Sequence, residues 1–316
     1  MPGKPSNVEE AMREARKKQS SKRKIHDSEG NNDNYEDDVP IEKLTVKNDK
    51  NERSFPCDFR ERRKKVSLPV GLYYREELFY DVEIQKMTGV VRSDLADKDV
   101  KSNSAKTVDV LLHNCVVKIG ELEKLTSRMF TDMTVPDRDF LTYCIRILSM
   151  GNYVPTTLTC PACEEPLEPQ VDLSLIEVFT AEEKGWRLQS GDWVKEIIDE
   201  DLEIDGLIRL PNGRIAERIA PIRKHNVYKA DYEMFSEIVL EMNGKKLPTA
   251  DEFQNMDVDI LDFIDHWLLQ NVPGPERVHY IICSECGGRI PTDFRSADFL
   301  FRTLRSSRQL ESKFSR

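Results

Sequence analysis

Two pairs of closely spaced cysteines, Cys160-Pro161-Ala162-Cys163 and Cys283-Ser284-Glu285-Cys286, constrain this chain more than any other feature. Each pair presents two thiolates at the separation that a tetrahedral Zn²⁺ accepts, and together they complete one Cys₄ site. Pro161 after the first cysteine and Gly287-Gly288 after the last suit tight knuckle turns whose N–H groups face the sulfurs. The plainer readings are buried or disulfide-linked turns, or a thioredoxin-like redox motif, which needs only one pair on a strand-to-helix turn. Neither accounts for two matched pairs. Four thiolates close the coordination sphere, so the expected cofactor is one structural zinc per chain, held by Cys160, Cys163, Cys283 and Cys286 and performing no chemistry.

Residues 164–282 separate the pairs, a stretch as long as many domains. The metal is therefore expected to clamp two distant segments, offsetting the entropy of closing a long loop, and the insert between them becomes a functional candidate. The 39% apolar content of 316 residues supports a real core and either two domains or one domain with an insertion. No apolar run approaches the ~18 residues of a membrane span, and no secretory leader is apparent. The remaining cysteines, Cys57, Cys115 and Cys144, are scattered, which fits a reducing, intracellular compartment; Cys144 reads as core.

The net charge of −10 conceals segregation: residues 1–24 carry eight Lys/Arg against three Glu, and residues 27–42 carry seven Asp/Glu and no Lys or Arg. With a single Leu among residues 1–65, this tail cannot bury enough apolar surface to offset ordering and reads as disordered, with room for a short helix over Val8–Lys18. Its basic stretch, residues 16–24, could meet nucleic acid or an acidic protein, but no aromatics interleave to stack on bases.

Order is expected to begin near Val66, with a Pro/Gly turn in Leu68–Tyr73. Asp81–Thr88 alternates as a half-buried strand, and Val108, Leu111, Leu112 and Cys115 form a helical face. A second helix follows Pro136-Asp137, with Phe140, Leu141, Cys144, Ile145 and Leu148 as its stripe and Gly151 at its exit. Tyr153–Thr159 and Leu167–Leu173 should be strands framing the first knuckle, as Val278–Ile282 and Arg289-Ile290 frame the second, giving the layout of a zinc ribbon. Inside the insert, Gly206–Leu210, the turn Pro211-Asn212-Gly213 and Arg214–Ile219 read as a hairpin, followed by helices over Tyr228–Met242 and Asp257–Gln270. Ser296–Phe314 mixes apolar residues with Arg as a basic amphipathic helix, to dock on a partner or pack on its own domain. The fold class is α+β: a tail over 1–65, an N-terminal region over 66–155, a ribbon from 156–175 and 276–292, an inserted α+β region over 176–275 and a C-terminal helix over 293–316.

No G-x-S-x-G, phosphate-binding loop, H-E-x-x-H or dinucleotide fingerprint is present, and acid pairs such as Glu164-Glu165 and Asp199-Glu200-Asp201 sit in polar surroundings, which argues against an enzyme. A metallohydrolase would need a ligand other than cysteine, from His113, His225, His266 or His279.

From Ser67 to Leu173 the chain resembles the baseplate hub assembly proteins of contractile-tailed, T4-type bacteriophages. The resemblance is carried, in order, by Leu68-Pro69-Val70-Gly71-Leu72-Tyr73, Ile84–Gly89 with its Met87-Thr88, Val108–Val116, Asp137-Arg138-Asp139-Phe140-Leu141, Ile145-Arg146, Gly151-Asn152-Tyr153 and Cys160-Pro161-Ala162-Cys163. It implies a non-enzymatic role in tail morphogenesis, as a chaperone that helps hub subunits meet or as a minor baseplate component. The expected partners are then phage tail or baseplate hub proteins, with neither nucleic acid nor membrane, in the host cytoplasm during assembly or in the virion tail. The alternative is a zinc-ribbon nucleic-acid-binding or transcription-associated protein using its basic ends on phosphates, against which the acidic total weighs.

Overall fold

Phe55 marks where the described fold begins: its ring stacks on Phe140 and Tyr143, with centroids 5.5 and 5.1 Å away. The protein is described here by a computed structural model over residues 55–277 and 279–292. The helices expected at Val8–Lys18 and Ser296–Phe314 lie outside the described residues, as does most of the tail. Structure starts earlier than the expected Val66, because an aromatic anchor at Phe55 and the ladder that begins at Arg63 hold the intervening residues.

The chain runs through β1 (Arg63–Tyr74), β2 (Glu77–Gln85), α1 (Gly89–Asp94), α2 (Lys98–Lys101), α3 (Ser104–Cys115), β3 (Val116–Ile119), α4 (Ser127–Asp132) and α5 (Val135–Met150). Short strands follow: β4 (Tyr153–Pro155), β5 (Leu158–Thr159), β6 (Pro166–Leu167), β7 (Gln170–Asp172) and, past a 3-10 turn, β8 (Val178–Phe179). Next come β9 (Arg187–Gln189), β10 (Asp192–Asp199), β11 (Ile204–Arg209), α6 (Gly213–His225), α7 (Val227–Ile238), β12 (Val239–Met242) and β13 (Lys245–Lys246). The described chain closes with α8 (Ala250–Gln254), α9 (Val258–Asn271), β14 (Gly274–Pro275), β15 (His279–Ile282) and β16 (Arg289–Thr292). The architecture is mixed α+β, as its composition implies.

β1, β2 and β3 form an antiparallel sheet in that order. A two-residue loop of Arg75 and Glu76, both at positive φ, joins β1 to β2. The Pro/Gly turn expected in Leu68–Tyr73 is instead a bulge inside β1, where Ser67 pairs with Asp81 but Leu72 pairs with Phe79. Gly71 takes φ +94° there, and a Cβ on it would meet Tyr80 Cε1 at 3.0 Å. The bulge lets one strand serve two cores, Leu68 and Leu72 joining the first cluster and Val70 the second.

The first core rests on α3 and α5, and both behave as their periodicity requires. Asn103 caps α3 by accepting from the N–H groups of Ala105 and Lys106, and Leu111, Leu112 and Cys115 are buried. α5 has Pro136 and Asp137 in its first turn and Gly151, at φ +86°, as C-cap; its whole expected stripe is buried. Each such Leu or Ile contributes about 1.5–3 kcal/mol by leaving water.

The second core lies under a five-stranded antiparallel sheet ordered β13-β12-β11-β10-β9. Pro211-Asn212-Gly213 does not turn a hairpin here. β11 pairs with β10 and β12, while Asn212 Oδ1 accepts from Ile215 N at 3.1 Å and caps a helix. The residues after the turn alternate only briefly; Ile215, Ile219 and Ile222 recur at helical spacing and pack on this core, and tertiary burial decides in favour of the helix. Likewise the helix expected over Tyr228–Met242 stops at Ile238, and Val239–Met242 leaves it as a central strand. Asp257 does cap α9, though by backbone conformation and not through its side chain. The other end of α9 is satisfied from outside: Trp186 Nε1 and Lys184 Nζ donate to the carbonyls of Asn271 and Gln270 at 2.7 and 3.0 Å.

A separate ladder closes the long excursion between the cysteine pairs. β8 pairs with β14, Gly274 opposite Phe179 and Pro275 opposite Val178, and Glu276 N donates to Glu177 O at 2.8 Å. Residues 178–179 and 274–275 are thus fixed side by side by backbone bonds, so the cysteines are not the sole closure of this loop.

Candidate metal centre

Each C-x-x-C sits at the tip of a short antiparallel hairpin, β5–β6 for Cys160 and Cys163, β15–β16 for Cys283 and Cys286. The two tips repeat one hydrogen-bond pattern. In the first, Glu164 N donates to Cys160 O (2.8 Å) and Cys160 N to Glu165 O (3.0 Å); in the second, Gly287 N donates to Cys283 O (3.0 Å) and Cys283 N to Gly288 O (2.9 Å). Both need a left-handed residue after the second cysteine, Glu164 at φ 61° and Gly287 at φ 68°. Gly288 leaves room for the sulfurs: a Cβ there would lie a tight 3.2 Å from Cys286 Sγ.

The tips bring Cys160, Cys163, Cys283 and Cys286 together, with all four Sγ atoms within 4.8 Å of one another. Cys160 and Cys286 are 3.6 Å apart and Cys163 and Cys283 3.7 Å, and all four are free thiols. A tetrahedron with Zn–S bonds of about 2.3 Å has edges of about 3.8 Å. The spacing fits a four-thiolate ion site and is far too long for a disulfide. Cys160 and Cys283 are buried over Leu158, Leu167, Ile281 and Ile290, and Cys163 and Cys286 face outward. Burial and the crowding of neighbouring thiols push Cys163 up to about 12 and Cys286 up as well, but backbone N–H groups act the other way: those of Cys163 and Ala162 hold the Cys160 thiol down at about 7, and Gly288 N donates to Cys286 Sγ at 3.4 Å. These dipoles favour thiolate, the form that binds metal.

None of the four histidines set aside as alternative ligands joins the cysteines. His113 packs edge-on against Phe130, His266 bonds Gln270, His225 ends α6 and His279 lies in β15. Among the described residues, no second group of three or more ligating side chains gathers. Cys115 and Cys144 are core residues, and burial pushes the Cys115 thiol up to about 12.

The chain segment that carries the first hairpin is anchored by a buried cation. Arg146, on α5, donates to Gly151 O at 2.7 Å and Tyr153 O at 2.9 Å, and so fixes the exit of the helix into β4. β4 then pairs with β7 on the far side of the knuckle. Asp137 and Arg138, more than two turns earlier, do similar work. The Asp137 carboxylate accepts from Val70 N (2.9 Å), Gly71 N (3.0 Å) and Thr134 Oγ (3.2 Å), closing the bulge of β1. Burial pushes Asp137 up to about 7 against these three bonds. Arg138 donates to Asp109 and Phe130 O, both at 2.7 Å, and to Ala105 O at 3.2 Å, tying α5 to α3 and α4. In the sequence Arg138 and Arg146 served only as marks of resemblance, and Asp137 also as the start of a helix. A charge embedded in an apolar helical stripe was the signal that they are structural clamps.

Comparison with known families places the chain. The model of the T4 bacteriophage base plate protein family matches residues 82–266. The chain belongs to that family. No curated protein and no solved structure matches it. The base plate match begins inside β2 and ends inside α9, so it takes in most of both cores and most of the stretch between the cysteine pairs. That stretch is therefore part of the family body, and the likeness extends well past Leu173, where the sequence resemblance stops. Cys160 and Cys163 fall within the matched residues, whereas Cys283 and Cys286 lie beyond them. Leu68–Tyr73, the first element of the resemblance, also lies outside the match.

Proposed function

We propose that this base plate family chain is a non-enzymatic component of phage tail morphogenesis that binds tail or baseplate hub subunits, as an assembly factor or a minor part of the baseplate. The family match over residues 82–266 carries this reading. Its place is the host cell during assembly, or the virion tail. No helix among the described residues is long and apolar enough to cross a membrane.

In this reading Cys160, Cys163, Cys283 and Cys286 hold one structural Zn²⁺ and make the two hairpins a zinc ribbon. Sulfur spacing, the repeated tip geometry and the all-thiol donor set support it. When bound, the ion supplies cohesion only, since four thiolates leave no position for water or substrate. The test is an affinity pull-down of the tagged full chain from infected cells, with partners identified by mass spectrometry. Recovery of tail or baseplate subunits at physiological salt supports the proposal; recovery of only RNA polymerase or nuclease-sensitive DNA would replace it with the nucleic-acid reading.

A further inference from the structure

β1 is an edge strand, and its hydrogen-bonding parity shows which backbone groups face outward. Lys86 N donates to Arg62 O, so residues 62 and 86 form a hydrogen-bonded pair that extends the β1–β2 ladder by one step. The pairs Lys64 with Ile84 and Val66 with Val82 follow in the same phase, two residues apart. Asp81 O agrees from the other side, because it accepts from Gly120 beyond β2 and is turned away from its β1 partner Ser67. The N–H and C=O groups of Arg63, Lys65 and Ser67 therefore point off the sheet. All three residues are exposed, and among the described residues β1 pairs with β2 alone. Further along, the same edge is occupied: Asp137 takes the N–H groups of Val70 and Gly71, and Ala181 N donates to Pro69 O.

The open stretch is also strongly basic. Arg60, Arg62, Arg63, Lys64 and Lys65 crowd it against Glu61 alone within that run. Arg63 and Lys64 are paired with Glu83 and Glu61, while Arg60, Arg62 and Lys65 enter no ion pair among the described residues. An edge left unpaired, as this one is among the described residues, is a template for an extended chain. Its charge selects the chain: a second copy in antiparallel register would set Arg and Lys against Arg and Lys, whereas an acidic strand is attracted.

We infer that the edge of β1 from Arg63 to Ser67 is a docking site for an extended, acidic segment of a partner protein, added as a fourth strand to the β1–β2–β3 sheet. Backbone bonds to Arg63, Lys65 and Ser67 supply the pairing, and Arg62 and Lys65 supply the selection for carboxylates. This deepens the reading of the chain as a binding component, and it is independent of the cysteines.

The experiment is fluorescence anisotropy of a labelled peptide alternating Glu and Val, titrated with the full chain, beside a matching Lys and Val peptide. The acidic peptide binds saturably and more weakly as salt rises, and the Lys peptide does not bind. Lys65→Pro removes an outward N–H without touching the ladder to β2, so it weakens binding by about tenfold or more at unchanged melting temperature. Should Lys65→Pro fail to fold, the pair Arg62→Glu with Lys65→Glu gives the same loss. Absence of binding to the wild type, or binding indifferent to both variants, would overturn the proposal and leave the basic residues as guards against pairing. A concentration-dependent dimer that Lys65→Pro abolishes, without peptide binding, would overturn it in favour of self-association. None of these results bears on family membership.

Discussion

Asp137 concentrates the physics of this fold in one side chain. Fully buried in the first turn of α5, it spends both oxygens on donors from a strand bulge 66 and 67 residues earlier and from Thr134. Asp137→Asn would turn an amide NH₂ toward one of those donors and is expected to cost about 1–3 kcal/mol, read from urea unfolding. The folded-state value near 7 lies above the ordinary 3.8, so the folded protein holds that proton more tightly. Its contribution is then full below about 4 and lost as pH rises through about 7. The stability difference between wild type and Asp137→Asn should shrink over that window; a difference that stays flat would show the carboxylate to be ionised throughout. The two knuckles offer a second comparison. Glu164 pays for a left-handed backbone that Gly287 adopts freely, and nothing lies within 4 Å of where a Gly287 Cβ would be. Glu164→Gly should strengthen metal retention against a chelator and Gly287→Ala weaken it, each by about 1 kcal/mol.

Elements were legible in the sequence where the interactions that make them are local. α5 shows its stripe, its first-turn Asp137 and its Gly151 exit, all within sixteen or so residues. The cysteine hairpins show their turns in the same way. Elements decided by distant contacts were not legible. Pro69-Val70-Gly71 carries turn chemistry, but Asp137 captures its amides and keeps it in β1. Pro211-Asn212-Gly213 carries a hairpin signal, but β11 already has neighbours on both edges, leaving Asn212 to cap α6. Asn212→Ala is therefore expected to destabilise the protein by about 1 kcal/mol while Asn212→Gly costs a few tenths. Equal losses from the two variants would mean that the side-chain cap contributes nothing. Of the candidate site, the four cysteines could be read directly, because ligand spacing is a local property. The role of Arg146 in anchoring the segment before them could not, since its partners are backbone carbonyls that carry no sequence signature.

At the scale of the molecule, the cysteine cluster is a small core of its own that touches the first large core through Ile281. The third cluster consists of Cys160, Cys283 and Ile290 with a few flanking residues, whereas the other cores are closed by their own sheets and by the β8–β14 ladder. Stripping a metal should thus loosen residues 158–167 and 279–292 in hydrogen exchange and leave protection in α5 and β10–β11 intact. Global loss of protection would make the metal the keystone of the whole fold instead of a local clamp. Native mass spectrometry of the full chain beside Cys286→Ser decides whether the cysteines hold zinc. One zinc on the wild type and none on the variant is the expected result; an intact wild type free of metal, or equal zinc on both, would contradict it.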